Sequence, residues 1–100
     1  MMKKIYVSIP ITGKNYIDQR NYALYVATNL AQRGYDAVTP FDIVKDPTTS
    51  YNRSLGMCIE SLLDCDTIYM CSGWEKSLGC RAELQVAMVY GKEVMTDKDY

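Results

Sequence analysis

Histidine is absent from this chain of 100 residues. Its absence excludes serine–histidine and cysteine–histidine nucleophile pairs as well as histidine-ligated zinc. Acid–base chemistry would therefore have to come from carboxylates, tyrosines, lysines or thiols. An excess of basic residues is also lacking, because 11 lysines and arginines face 12 aspartates and glutamates, for a net charge of -1. This balance argues against a nucleic-acid polymer as partner, since such binders need a basic face.

Long apolar runs and paired cysteines are missing as well. No stretch reaches the roughly 18 apolar residues of a membrane span. The apolar run after Lys4 ends at Pro10 without a clean cleavage site, so it is interpreted as a strand and not as a signal peptide. The four cysteines include no C-x-x-C pair, which argues against a zinc knuckle or a redox pair. We expect reduced thiols and a cytoplasmic protein.

Apolar runs and helical stripes alternate along the whole chain, which predicts one domain over residues 1–100. Strands are expected at 4–9, 37–39, 67–71 and 93–96, and residues 40–50 are expected to be loop. The first helix should begin at Asp18 and stop at Gly34, the second should end near residues 65–66, and the third should span 78–90. This order predicts an α/β fold, namely a Rossmann- or flavodoxin-like three-layer domain with a parallel sheet of about four to five strands.

In such sheets, ligands bind beyond the carboxyl ends of the strands, where the strand order reverses. We therefore expect the site to be built from residues 8–13, 39–43 and 72–79. The dinucleotide fingerprint G-x-G-x-x-G and the phosphate loop G-x-x-x-x-G-K-[ST] are both absent from the sequence.

Glu83 does not fit its surroundings. It is the only ionisable residue in the run AELQVAMV, and its helical neighbours Val86 and Ala87 are apolar. Desolvation would raise the pKa of this carboxylate, whereas the positive end of the helix dipole would oppose the rise. Glu83 could serve the ligand crevice or simply complement the helix dipole, and the pattern alone leaves both open.

Other residues near the expected crevice also allow two interpretations. Gly79 would let a ligand approach the backbone closely. Ser77 could cap the third helix or donate to a substrate oxygen. Trp74 could pack in the core or stack on a base. Tyr6 could be plain core, and Asp66 could be a turn residue.

Three segments carry a family resemblance: K-I-Y-V-S-I-P-I-T-G, then C-D-T-I-Y-M, then G-W-E-K-S-L-G-C-R-A-E-L-Q-V-A. They resemble the nucleoside 2-deoxyribosyltransferase superfamily, and in particular its compact branch of the DUF4406 type, over residues 4 to about 95. The run S-L-G-x-x-x-E-L is also similar to the 2'-deoxynucleoside 5'-phosphate N-hydrolases of that superfamily.

The resemblance implies cleavage or transfer at the N-glycosidic bond of a small nucleoside or nucleotide, with no metal and no cofactor. It places the nucleophile at Glu83, a supporting tyrosine at Tyr6 and a base-side aspartate at Asp66. Ser77 stands where the transferases carry an aspartate, as in the phosphate-recognising hydrolases, which favours a nucleotide substrate. The residues expected to contact substrate are Ser8, Pro10, Thr12, Gly13, Trp74, Ser77 and Gly79.

The resemblance also implies a homodimer or larger homo-oligomer, with the second and third helices at the interface because the third helix is apolar nearly all round. Two other functions stay open. One is a non-catalytic module that binds nucleotides or nucleotide signals through the same crevice. The other is an NAD-cleaving TIR-like domain, although its W-x-x-x-E pattern is missing because Trp74 and Glu83 lie nine positions apart.

Overall fold

The computed structural model describes residues 2–97, which form a four-stranded sheet and four α-helices. The strands are β1 (Lys4–Ser8), β2 (Asp36–Val38), β3 (Thr67–Met70) and β4 (Glu93–Thr96). The helices are α1 (Tyr16–Gln32), α2 (Pro40–Ile43), α3 (Tyr51–Leu63) and α4 (Leu78–Val89). The predicted α/β class, the alternation of strands and helices and the parallel sheet are confirmed.

The sheet is parallel throughout and has the order β2-β1-β3-β4. The chain first moves outward from β1 to β2 and then crosses back to β3, so the order reverses between β1 and β3. This reversal opens a crevice at the carboxyl ends of the two central strands. The carboxyl end of β1 therefore lies beneath this crevice.

Two apolar clusters make the domain three layers thick. On one side of the sheet α1 packs through Ala23, Val26 and Leu30. On the other side α3 and α4 pack through Cys58, Leu62, Cys80 and Ala87. Side chains along β1 alternate between the two clusters, as the two-residue period of a strand requires. No helix in residues 2–97 has the length and apolar character needed to cross a membrane.

The segment at residues 40–50 contains a helix, so the prediction of an uninterrupted loop is wrong there. Thr39 caps α2, because its hydroxyl accepts from the Asp42 amide while the Asp42 carboxylate accepts from the Thr39 amide. Pro40 occupies the first helical position, where its fixed φ favours the helix. The two prolines of the segment marked a loop in the sequence, but the first one begins a helix.

Helix and strand ends differ from the predicted ones by a few residues. The N-cap of α1 is Asn15, whose side chain accepts from the Asp18 amide, and Asp18 lies in the first turn instead. The second long helix ends at Leu63, somewhat more than half a turn earlier than predicted. Gly34 does follow α1, with a φ of 93° that favours glycine at a helix end.

Candidate active site

A buried carboxylate lies at the centre of the site. Glu83 belongs to the stripe of α4 that faces the sheet, together with Cys80 and Ala87 at helical spacing. It is only 6% exposed. Burial is the main influence on the pKa of Glu83 and raises it above the usual value for glutamate. Burying a carboxylate costs free energy unless it is hydrogen-bonded, and complementing the helix dipole does not require such burial.

Two hydroxyls from β1 hold the two oxygens of this carboxylate. The Tyr6 hydroxyl donates to Oε2 of Glu83 at 2.8 Å, and the Ser8 hydroxyl donates to Oε1 at 2.7 Å. These hydrogen bonds favour the charged form, so they oppose part of the rise that burial causes in the pKa of Glu83. In turn, burial and the nearby carboxylate keep the pKa of Tyr6 well above its usual value, so Tyr6 stays a donor.

A cavity of about 670 Å³ opens over Glu83. This volume falls within the range of small-molecule sites. Much of the wall is apolar and comes from the β1–α1 loop, α2 and α3, including Ile9, Ile11, Pro40, Phe41, Val44 and Leu55. Among the described residues, the lining contains one basic side chain, Lys76, and two acidic side chains, Asp46 and Glu83.

An aromatic pair forms part of the cavity lining. The rings of Tyr16 and Phe41 meet edge to face, with centroids 5.2 Å apart and an interplanar angle of 77°. Both residues line the cavity. They join the beginning of α1 to α2, so the position of α2 bears directly on the shape of the site.

Several predicted site residues either line the cavity or lie behind Glu83. Glu83, Tyr6 and Ser8 form one hydrogen-bonded group, and Thr12, Ser77 and Gly79 line the cavity. The Ser77 hydroxyl accepts from the Cys80 amide at 3.2 Å and caps α4. A side chain at Gly79 would place its Cβ 3.4 Å from the hydroxyl of Tyr51, which is ordinary contact distance.

Asp66 does not reach the site. It precedes β3 at the amino edge of the sheet, and its carboxylate accepts from the Lys4 amide at 3.0 Å. Glu83 lies near the opposite, carboxyl edge, beside Ser8 at the end of β1. Asp66 therefore makes a hydrogen bond at the amino end of β1 and does not lie beside the carboxylate of Glu83.

Three other predicted contact residues lie off the cavity. Trp74 is half-buried and packs against the cluster between α3, α4 and the sheet, so packing describes it better than base stacking. Pro10 is buried, and its carbonyl accepts from the Gln19 side chain at 2.6 Å. Gly13 has a φ of 78° and makes the turn before α1. Among the described lining residues, none of these three appears.

The sequence prediction missed one side of the cavity, which comes from Val44 to Cys58. Asp46, Pro47 and Thr49 from the α2–α3 loop and Tyr51 and Ser54 from the start of α3 all line it. The order of strands and helices could have predicted this side of the cavity, because a helix that follows a parallel strand must begin near the carboxyl edge of the sheet.

The fold and the site together define a doubly wound α/β domain whose crevice at the strand-order reversal contains a buried, hydrogen-bonded carboxylate. Within this class, the chain belongs to the family described as "Domain of unknown function (DUF4406)", whose model matches residues 3–96. The family resemblance seen in the sequence is thereby confirmed. No curated protein matches the chain.

Two solved structures share the fold. The 2-desoxiribosyltransferase from Leishmania mexicana superposes with a TM-score of 0.72 at 21% identity, over 94% of this chain and 63% of that one. The CMP N-glycosidase BcmB from Clostridium botulinum superposes with a TM-score of 0.65 at 15% identity, over 94% of this chain and 70% of that one. This chain thus spans about two thirds of the length of either protein.

Proposed function

We propose that this protein acts at the N-glycosidic bond of nucleosides, deoxynucleosides or their 5'-monophosphates, with Glu83 as nucleophile. The observation that carries the proposal is the buried carboxylate of Glu83, which is held by two hydroxyls at the base of a cavity large enough for such a substrate. The names of the two structures with the same fold, a deoxyribosyltransferase and an N-glycosidase, support the same chemistry.

The proposed reaction needs only a carboxylate at the sugar. As the bond between the anomeric carbon and the base nitrogen breaks, its electron pair leaves with the base, which takes up a proton from solvent. Positive charge develops on the sugar ring, and an oxygen of Glu83 stabilises this charge and closes a glycosyl ester. Water or a second base then attacks the anomeric carbon and releases the carboxylate. The water or base that attacks returns a proton to solvent. Water gives hydrolysis, and a base gives transfer.

Two parts of the cavity lining support a substrate of this kind. The apolar and aromatic wall formed by α2 and the start of α1 suits a flat base. The polar end beside Glu83 contains the hydroxyl of Ser77 and the backbone near Gly79, which suit a sugar. The substrate class, the cytoplasmic location and the homo-oligomer remain predictions.

Glu83→Gln tests the proposal. The purified protein is incubated with a panel of nucleosides and nucleotides, with and without a second free base, and released base is measured by chromatography. We expect wild-type turnover and a loss of about a thousandfold or more in Glu83→Gln, because the variant keeps the shape but lacks the nucleophilic charge. Glu60→Gln, on the exposed part of α3, is the matched control and should retain activity.

Two outcomes would contradict the proposal. Equal turnover by Glu83→Gln and wild type would show that Glu83 is not the nucleophile. Saturable binding of a nucleotide by the wild type with no base release on any substrate would favour the non-catalytic binding module.

A further inference from the structure

Ser8 lies in the group around Glu83, but it does not lie on the cavity surface. Its side chain is fully buried, and Ser8 is absent from the described lining of the cavity, to which Glu83 contributes. A substrate in the cavity would therefore meet Glu83 without touching Ser8. The position of Ser8 therefore does not support the prediction that it contacts substrate.

Two side chains on the same face of β1 reach the two oxygens of one carboxylate. Residues two apart in a strand point to the same face, about 6.6 Å apart along the strand. The long side chain of Tyr6 and the short side chain of Ser8 each donate to a different oxygen of Glu83. With both oxygens held from the sheet side, the carboxylate cannot rotate freely about its last bond.

A buried thiol lies next to each of these hydroxyls. Cys58 on α3 lies close enough to Tyr6, and Cys80 on α4 close enough to Ser8, for the hydroxyl to influence the pKa of the thiol. Burial raises the pKa of Cys58 to about 11 and also raises the pKa of Cys80, so both thiols keep their hydrogen at neutral pH.

We propose that Ser8 is a positioning residue, which holds Oε1 of Glu83 so that the carboxylate stays ionised and correctly oriented toward the sugar. The proposal rests on the proposed function, in which Glu83 is the nucleophile. The titratable groups that face Glu83 are Tyr6 from β1, Cys58 from α3 and Cys80 from α4 itself. Since the neighbouring thiols are neutral, the charge of Glu83 depends on its hydrogen bonds to Tyr6 and Ser8.

Ser8→Ala tests this role by two independent readouts. The first is the pKa of Glu83, measured by carbon-13 NMR titration of protein labelled at the glutamate carboxyl groups. Loss of the Ser8 donor should move the pKa of Glu83 further up, because the charged form loses a hydrogen bond that favours it. Ser8→Thr keeps the hydroxyl and should restore the wild-type titration.

Thr67→Val is the matched control for removing a buried strand hydroxyl. The Thr67 side chain is 1% exposed, and its hydroxyl has no hydrogen-bond partner among the described residues. It lies at the start of β3, at the amino edge of the sheet, whereas Glu83 lies beside the carboxyl end of β1. We expect Thr67→Val to leave both the titration of Glu83 and the turnover unchanged.

The second readout is the split between kcat and KM on a substrate that the wild type cleaves. A positioning role predicts a fall in kcat of about tenfold or more for Ser8→Ala, the usual effect of one hydrogen bond to a charged group. It also predicts an unchanged KM and an acid limb of the pH–rate profile displaced to higher pH. Should Ser8→Ala not fold, Ser8→Cys retains a weak donor and should show the same changes to a smaller extent.

The outcomes separate this proposal from the proposed function. If Glu83 titrates identically in Ser8→Ala and wild type, or if KM rises while kcat is unchanged, Ser8 is not a positioning residue, and cleavage by the wild type still stands. If the wild type cleaves no substrate of the panel, the proposed function fails. The NMR titration then still decides whether Ser8 sets the charge of Glu83.

Discussion

Glu83→Gln should make the protein more stable than the wild type at neutral and higher pH, even as it removes the proposed nucleophile. The wild type folds with a carboxylate that is almost completely withdrawn from water. Burial acts on the pKa of Glu83 more strongly than the two hydrogen bonds that oppose it, so the folded-state pKa lies above the unfolded value. An ionised Glu83 therefore costs folding free energy that an amide of the same size avoids.

The sign of the pH dependence follows from proton linkage. An unfolded glutamate titrates near pH 4.3. Between that pH and the raised folded-state pKa of Glu83, the folded protein binds more protons than the unfolded chain, so the free energy of unfolding falls as pH rises. The contribution of Glu83 to stability is thus fully present below about pH 4.3 and is lost as pH rises through the folded-state pKa.

The size of the effect is within reach of ordinary unfolding experiments. Single substitutions typically change stability by on the order of 1 kcal/mol. In a domain of about 100 residues, 1 kcal/mol moves Tm by about 4–8 °C. We expect Glu83→Gln to exceed wild type by several degrees at pH 8 and to converge with it near pH 4, where the neutral carboxyl group and the amide make similar hydrogen bonds.

The assay is thermal and urea unfolding followed by circular dichroism from pH 4 to pH 8, at one fixed protein concentration. The quantity of interest is the difference between variant and wild type, since the other titrating groups cancel in it. Glu60→Gln reports the effect of removing one carboxylate from the exposed surface. A Glu83→Gln protein that is less stable than wild type at pH 8, or a difference that does not vary with pH, would refute the reasoning.

Two further predictions concern α4. Ser77→Ala should lower the free energy of unfolding by about 1 kcal/mol through loss of the helix cap. It should also weaken the turnover of nucleosides and of 5'-monophosphates equally. A larger loss on the phosphorylated substrates would instead assign a phosphate contact to Ser77. Large apolar side chains on and just after α4 are exposed, including Leu78, Met88, Val89 and Tyr90. We therefore expect a homo-oligomer in sedimentation equilibrium, and a mass of 11.4 kDa at every concentration would contradict it.

The sequence was most informative where burial restricts the choice of residue. The two central strands are covered on both sides, so they appear as apolar runs, and their order with the helices predicted the sheet. Glu83 was recognisable for the same reason, as a carboxylate on a stripe that had to be buried. Its hydrogen bonds to Tyr6 and Ser8 join residues 77 and 75 positions apart, and sequence periodicity carries no information on such pairs.

The predictions failed where local chemistry admits two outcomes. Pro40 is compatible with a loop and with the first turn of a helix, and the capping pair Thr39 and Asp42 decides between them. Asn15 and Asp18 are both good helix caps, so the choice depended on the preceding backbone. Asp66 was assigned to the site through a motif, although a residue that precedes a parallel strand lies at the edge opposite the ligands.

The register of β1 connects the stability of the domain to the proposed chemistry. Ile5, Val7 and Ile9 fill the cluster beneath α1, while Tyr6 and Ser8 on the other face hold Glu83. A slip of one residue would turn the hydroxyls into the α1 cluster and leave the carboxylate against apolar side chains, with no donor for its charge. The same alternation that places three apolar side chains in the core thus also brings both donors to Glu83. Substitutions at odd-numbered positions of β1 should therefore act through stability alone, whereas those at positions 6 and 8 should also act through the carboxylate.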